Sequence, residues 1–325
     1  MSTPKPTYTS VLAPWLAGLV AEKQGTGYHY IATAADLAQF DRFCTTVGHA
    51  TGTLPRALVE AFIAKRPQET ETNRQHRVSL VRLLGEYLQR HGVSAYVVPR
   101  GGHGPVLAPY VPHIFTRAEL RAFFQTLDAM RPEPAAPQRH RVYPLLFRLL
   151  YGTGLRVSEA VGLTVADVDT TTGWVHIRAG KLGKERRVPL HPALTARCAA
   201  YAATVLVATP ADGPFFPAPH GGPYTTGTVY KAFRQWLWAA GISHGGRGHG
   251  PRLHDFRHPF AVHCLRRWVE AGTDLSVALP YLSAYLGHTG LGSTQDYLRL
   301  TAELYPALVA RLTAQFGACI PEATP

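Results

Sequence analysis

The second half of this 325-residue chain carries, in order, the side chains needed to handle a phosphate ester. Arg156 lies in Gly154-Leu-Arg156-Val-Ser-Glu159, just after a glycine-rich turn and at the start of a helix, where outward-pointing N–H groups favour an anion. Lys181 lies in the short basic turn Ala179-Gly-Lys-Leu-Gly-Lys184 between two strands, a tip that can reach into a groove and deliver a proton, with Lys184 as the alternative on the same turn. In His254-Asp-Phe-Arg257 the two functional side chains stand three apart at a helix start and share a face, so both can reach one phosphate, the arginine in bidentate fashion. His288 follows in Leu286-Gly-His288, and Tyr297 comes nine residues later on a helix that Ser293 or Thr294 can cap.

Each feature alone has a plainer reading. A surface arginine is usually solvated, a charged turn usually faces water, and a lone tyrosine usually packs. The combination changes this. Transfer of a phosphodiester without hydrolysis needs a nucleophile whose ester keeps the bond energy, cations around the five-coordinate phosphorus, and an acid for the leaving oxygen. A tyrosine supplies the oxygen, but with an ordinary pKa near 10 it needs help. Two arginines, two histidines and a lysine are that help. These motifs contain no carboxylate cluster suited to Mg²⁺, so a two-metal route is not suggested, and no metal or other cofactor is expected.

The elements that must position these residues fall into two groups. Residues 1–96 read as a helical domain. The run Val11 to Ala21 is amphipathic and too short to span a bilayer. Thr33-Ala-Ala-Asp36 reads as a variant capping box opening a helix through Phe43, Thr53-Leu-Pro55 opens another to about Arg66, and a third runs from Asn73 to His91 and stops at Gly92. Residues 97–113 are rich in glycine and proline and read as a linker. Residues 114–325 read as a mixed domain that opens with the capping box Thr116-Arg-Ala-Glu119. Helices are expected over Tyr143–Tyr151, Pro192–Val205, Thr226–Ala240, Asp255–Ala271, Val277–Leu286 and Thr294–Leu300, with strands at Trp174–Arg178 and Arg187–Leu190. The expected fold class is therefore mainly α with a small antiparallel β-sheet.

Bulk properties agree. Hydrophobic residues make up 46% of the chain, enough for two cores. Lys and Arg number 33 against 21 acids, a net +12, which points to polyanionic partners. Residues 1–110 hold 11 of those bases and 7 of the acids, so the excess is spread over both domains. Cys44, Cys198, Cys264 and Cys319 form no CxxC pair and read as buried thiols of a reducing compartment. A cytoplasmic protein, associated with the nucleoid when on DNA and with no membrane partner, is expected.

The strings TGLRVSEA, HDFRH, YLGH and STQDYLRL, with the basic turn between the first two, resemble the signature boxes of the tyrosine recombinase and phage integrase family, including its Xer-like site-specific recombinases. The resemblance covers roughly Phe115 to Leu304, and the helical front is similar in general shape to the family's SAM-like core-binding domain. It implies a C-shaped clamp on double-stranded DNA and a metal-free transesterification. Arg156 and Arg257 would hold the scissile phosphate, Lys181 would protonate the 5′ leaving oxygen, His254 would assist proton transfer at Tyr297, and His288 would hydrogen-bond a phosphate oxygen. Glu159 matches the acidic position that holds the first arginine. Tyr297 would form a 3′-phosphotyrosine. The resemblance also implies a homotetramer on two paired sites, with an accessory or sister recombinase as a further partner, and it leaves open DNA integration, excision, transposition and the resolution of chromosome or plasmid dimers, a mobile element being one setting that fits the family. The tail Tyr305–Phe316 would dock on a neighbouring protomer or on its own domain. Base reading is expected from helices in the major groove, Asn73–His91 among them.

One departure is Pro259, where the family usually carries Thr after HxxRH; proline is tolerated in a first turn, so the helix should begin near His254 or Asp255. The stretch from Arg257 to His288 is also longer than in compact members. Rival readings are a type IB topoisomerase, which religates the same strand, a catalytically silent DNA-binding regulator, and a metalloprotein built on His244, His249, His254, His258 and His263. The last cluster lacks the Cys or carboxylate partners of a firm site.

Overall fold

A computed structural model describes residues 6–27, 30–101, 112–178, 185–245 and 250–287. The chain divides into two compact units, residues 1–110 and 111–325.

The first unit contains α1 (Ala13–Gly25), α2 (Ile31–Thr46), α3 (Arg56–Ile63) and α4 (Glu71–Arg90). Leu16, Leu37, Phe40, Phe62, Val81 and Leu88 meet in one apolar core. The capping box read at Thr33 does not form. Helix α2 starts earlier, at Ile31, after Tyr30 in a left-handed conformation, so Thr33 lies inside it. Helix α4 starts at Glu71, two residues before the expected Asn73, and is capped by Thr70, whose hydroxyl accepts from the Asn73 amide. Gly92 takes the left-handed conformation expected of it (φ 74°). The described ends of the 97–113 stretch are packed. Val98 is buried in the first unit's core and its carbonyl accepts from Arg82 Nε at 2.8 Å. The His113 amide donates to Asp255 in the second unit at 3.3 Å.

The second unit opens with α5 (Arg117–Asp128), and the Thr116–Glu119 capping box closes as the sequence indicates. Then come α6 (Arg139–Thr153), α7 (Val157–Val161), β1 (Val168–Asp169), β2 (Trp174–Ile177), β3 (Arg186–Pro189), α8 (Pro192–Val205), α9 (Thr226–Ala239), α10 (Arg257–Glu270) and α11 (Leu275–Leu286). The strands form an antiparallel sheet in the order β1-β2-β3. Helix α6 begins four residues before the expected Tyr143 and carries Pro144 inside it; buried Leu145, Leu146, Leu149 and Leu150 offset the one lost backbone bond. The HxxR segment does not begin as α-helix at His254. Leu253–Phe256 form a 3-10 turn, and α10 starts at Arg257 with buried Pro259 in its first turn. The expected helix Thr294–Leu300 lies outside the described residues.

Register in the sheet decides one side chain of consequence. Val175 pairs with Val188 and Ile177 with Arg186. Alternation therefore puts Arg186 on the face of Val175, Ile177 and Val188, all buried, while Arg187 faces water.

Gly154 joins α6 to α7 in the left-handed region (φ 61°), and a Cβ there would come within 2.9 Å of Phe260 and 3.0 Å of Leu286. Only glycine satisfies both demands. Gly154→Ala is expected to lower stability by about 1–3 kcal/mol. Urea unfolding followed by a catalytic-unit probe measures this; a wild-type midpoint would show that α10 and α11 yield freely.

Candidate active site

The four-residue segment HDFR is built so that its members point different ways. Asp255 is fully buried, and its Oδ2 accepts the Arg252 amide at 2.8 Å, closing the 3-10 turn. Phe256 anchors the turn in a ring cluster with Phe115 (5.0 Å), Phe123 (5.4 Å) and Phe233 (5.4 Å). With Asp255 and Phe256 fixed inward, His254 remains at the surface and Arg257 is driven inside, where it is 1% exposed. His254 and Arg257, expected on one face of a helix start, therefore differ in exposure, although the Arg257 charge still bears on His254. Arg257 Nη1 donates to the Gly154 carbonyl at 2.8 Å, and Nη2 donates to the Leu286 carbonyl.

Arg156 precedes the five-residue helix α7. Its own amide donates to Glu159 Oε2 at 2.9 Å, and its Nη1 donates to Glu159 Oε1 at 2.9 Å. The anion at this helix start is thus the chain's own Glu159, and any affinity of Arg156 for a phosphate must come from its guanidinium, on a side chain that is 22% exposed. Arg156 Nη2 reaches the Gly287 carbonyl at 3.0 Å.

Arg186, passed over in the sequence reading, completes the arrangement. Nη1 and Nη2 grip both oxygens of Glu159, at 3.0 and 2.8 Å, and Nε donates to the Tyr285 carbonyl at 2.8 Å. Three successive carbonyls at the end of α11, those of Tyr285, Leu286 and Gly287, therefore each accept from a different arginine. Terminal helix carbonyls lack intrahelical partners and carry the negative end of the dipole, which is why cations gather there. Gly287 is left-handed (φ 65°), and a Cβ on it would lie 2.8 Å from Arg186 Nη1. The strand period was the available signal for Arg186, because it shares the face of Val188.

Electrostatics follow from these contacts. Burial pushes the Glu159 carboxyl up, but hydrogen bonds from Arg186 and the Arg156 amide, with both guanidinium charges, outweigh it and hold Glu159 ionised, below its ordinary range. His254 is exposed at one side yet stands among dense protein atoms. Desolvation, then the charges of Arg257 and Arg156, push its pKa down to about 4 against a small opposing pull from Glu159. Its imidazole is neutral at neutral pH and able to accept a proton.

The structure thus brings Arg156, Glu159, His254 and Arg257 together, with Arg186 behind them. Lys181 and its alternative Lys184, His288, Tyr297 and the tail Tyr305–Phe316 lie outside the described residues. The chain reaches His288 directly from Gly287, the carbonyl held by Arg156. Among the described residues no group of three or more His, Cys, Asp or Glu could hold a metal ion, and no helix is long and apolar enough to cross a membrane.

A testable consequence concerns acid. His254 has a folded-state pKa below its ordinary 6.5, so between pH 6.5 and about 4 the unfolded chain takes up a proton that the folded chain does not. Its contribution to stability is present above that window and is lost as pH falls through it. Imidazole NMR should place the His254 titration near 4, and His254→Gln should lose less stability than wild type between pH 7 and 5. A His254 titration at 6.5 or above would show that neither desolvation nor the guanidinium charges act on it.

Comparison with known proteins bears on the family and the fold. Residues 113–303 match the model of the phage integrase family. A putative integrase/recombinase y4rB of Sinorhizobium fredii is 29% identical, over 89% of this chain and 93% of its own. The tyrosine recombinase XerC of Bradyrhizobium diazoefficiens is 28% identical, over 93% of each chain. Among solved structures, the Tn1549 transposon integrase in complex with transposon right end DNA superposes with a TM-score of 0.60 at 16% identity, covering 93% of this chain and all of that one. The XerH site-specific recombinase bound to palindromic difH substrate gives 0.59 at 17% identity, covering 85% and 78%. These likenesses confirm the mainly helical fold with its small sheet, and with the family match over more than half of its length the chain belongs to the phage integrase family.

Proposed function

We propose that this chain is a site-specific DNA recombinase that cuts and rejoins strands by transesterification through a covalent bond to Tyr297. The observation that carries the reading is the convergence of Arg156, Arg257 and neutral His254 on one site, held by Glu159 and the end of α11, at the point where the chain enters the His288-to-Tyr297 segment.

In this mechanism the Tyr297 oxygen attacks the scissile phosphorus and its proton passes to the neutral His254 imidazole. The bond from phosphorus to the 5′ oxygen breaks, and Lys181 supplies the proton that makes the leaving group a 5′-hydroxyl. Arg156 meets the negative charge on the non-bridging oxygens, Arg257 adds its positive field from behind, and His288 hydrogen-bonds a phosphate oxygen. A 5′-hydroxyl from the partner duplex then attacks the phosphotyrosine, the protons return, and Tyr297 is released. The ester conserves the bond energy, so strand joining needs no external energy source. The working assembly is four copies on two paired sites, with an accessory protein or sister recombinase as a further partner. The net charge of +12 makes phosphate contacts a large part of the affinity, so binding weakens steeply with salt.

The test uses duplexes from sequences flanking the gene, nicked close to the cut so that the cleaved strand cannot rejoin, in the presence of EDTA. Wild type should form an SDS-resistant protein–DNA adduct and Tyr297→Phe none. An adduct that survives Tyr297→Phe moves the nucleophile elsewhere, with Tyr305 next in line. Tight DNA binding without any adduct favours a silent regulator and overturns the mechanism. Arg156→Ala should slow adduct formation on the order of 10²-fold or more, the usual cost of removing one charge-stabilising donor.

A further inference from the structure

Arg186 has no part in the mechanism above, yet it is the most heavily committed cation at the site. Its side chain is 12% exposed and bonds both oxygens of a carboxylate that is itself 3% exposed. The same two oxygens also receive Arg156. We propose that Arg186 is a positioning residue that offsets the charge of Glu159, so that Arg156 keeps its own positive charge for the scissile phosphate.

The argument is one of charge balance. Glu159 carries one negative charge, and Arg156 and Arg186 carry two positive ones, so the trio presents a net positive charge to an incoming phosphodiester. Without Arg186, Glu159 would have Arg156 as its one guanidinium partner. That pair would be neutral, and the Arg156 fork would turn fully onto the carboxylate. In a buried setting such pairing is strong. Arg186 also sets geometry. Nε holds the Tyr285 carbonyl, while Arg156 holds that of Gly287, two residues on. Gly287 is pressed against the Arg186 guanidinium with no room for a Cβ. Lysine could keep the charge but not the fork, because a single ammonium cannot bond both carboxylate oxygens and a carbonyl from one planar frame.

This inference rests on the recombinase reading, and its test separates the two. Single-turnover adduct formation at saturating DNA is measured on the nicked duplex for wild type, Arg186→Met and Arg186→Lys. A second duplex carries an uncharged methylphosphonate in place of the scissile phosphate. On the natural phosphate, Arg186→Met should be slower by about 10- to 100-fold, within the range for losing part of one charge-stabilising contact, with DNA affinity little changed. On the methylphosphonate, which has no charge for Arg156 to meet, the gap to wild type should close to within about threefold. Arg186→Lys should be intermediate on the phosphate. Equal defects on both substrates would make Arg186 a purely structural residue, and no defect on the phosphate would also overturn the proposal. If Arg186→Met does not fold, a folded Arg186→Lys decides: wild-type rate on the phosphate, or a defect equal on both substrates, overturns it. Absence of an adduct from wild type overturns the recombinase reading itself, and the inference falls with it.

Discussion

The candidate site is organised around the buried carboxylate of Glu159. Glu159 cannot be hydrated, so it must be matched by cations, and Arg156 and Arg186 match it from two different elements. Breaking a buried pair by removing one partner costs about 3–5 kcal/mol, because the remaining charge is left without compensation. Here the same contacts also determine chemistry. One acid shared by two bases leaves an excess of positive charge, and that excess faces the surface through Arg156. A third arginine, Arg257, lies behind. The site is electropositive by construction, before any ligand arrives.

The second constraint is the end of α11. Its last carbonyls have no helical partners and sit at the negative pole of the helix. Arg186, Arg257 and Arg156 take them in sequence, at Tyr285, Leu286 and Gly287. These arginines come from β3, α10 and the turn before α7. The end of one helix therefore ties to itself three parts of the chain, the farthest of them 131 positions away. Two glycines make the approach possible: Gly287 against Arg186 and Gly154 against Leu286 and Phe260. These two glycines leave the room that the guanidinium group and the helices need.

Burial also separates the roles of two arginines that look equivalent. Arg257 is enclosed and bonded to backbone carbonyls, whereas Arg156 is partly open. Both bear on His254, whose proton affinity they lower after desolvation has already done so. A histidine kept neutral in this way has an open acceptor nitrogen, while its protonated form is disfavoured by desolvation and by the two cations.

Much of this was legible in the residues themselves. The order of Arg156, Lys181, His254, Arg257, His288 and Tyr297 pointed to the chemistry, Glu159 entered through the family resemblance, and helical and strand periods located most elements, because those patterns are local. The Thr116–Glu119 box and helix Pro192–Val205 formed where read. The start of α2 was misjudged because a cap depends on the backbone before it, and Tyr30 took an unusual conformation that no residue type signals. The tertiary structure alone decided three things. It buried Arg257 by anchoring Asp255 and Phe256 on either side of the turn. It gave the Arg156 amide to Glu159 in place of an external anion. It brought Arg186 to Glu159 through a strand register that pairs Ile177 with Arg186. Each of these depends on which distant group lies opposite. A sequence fixes the types and local periods of its side chains, but the partner of a buried charge is chosen only when the elements pack.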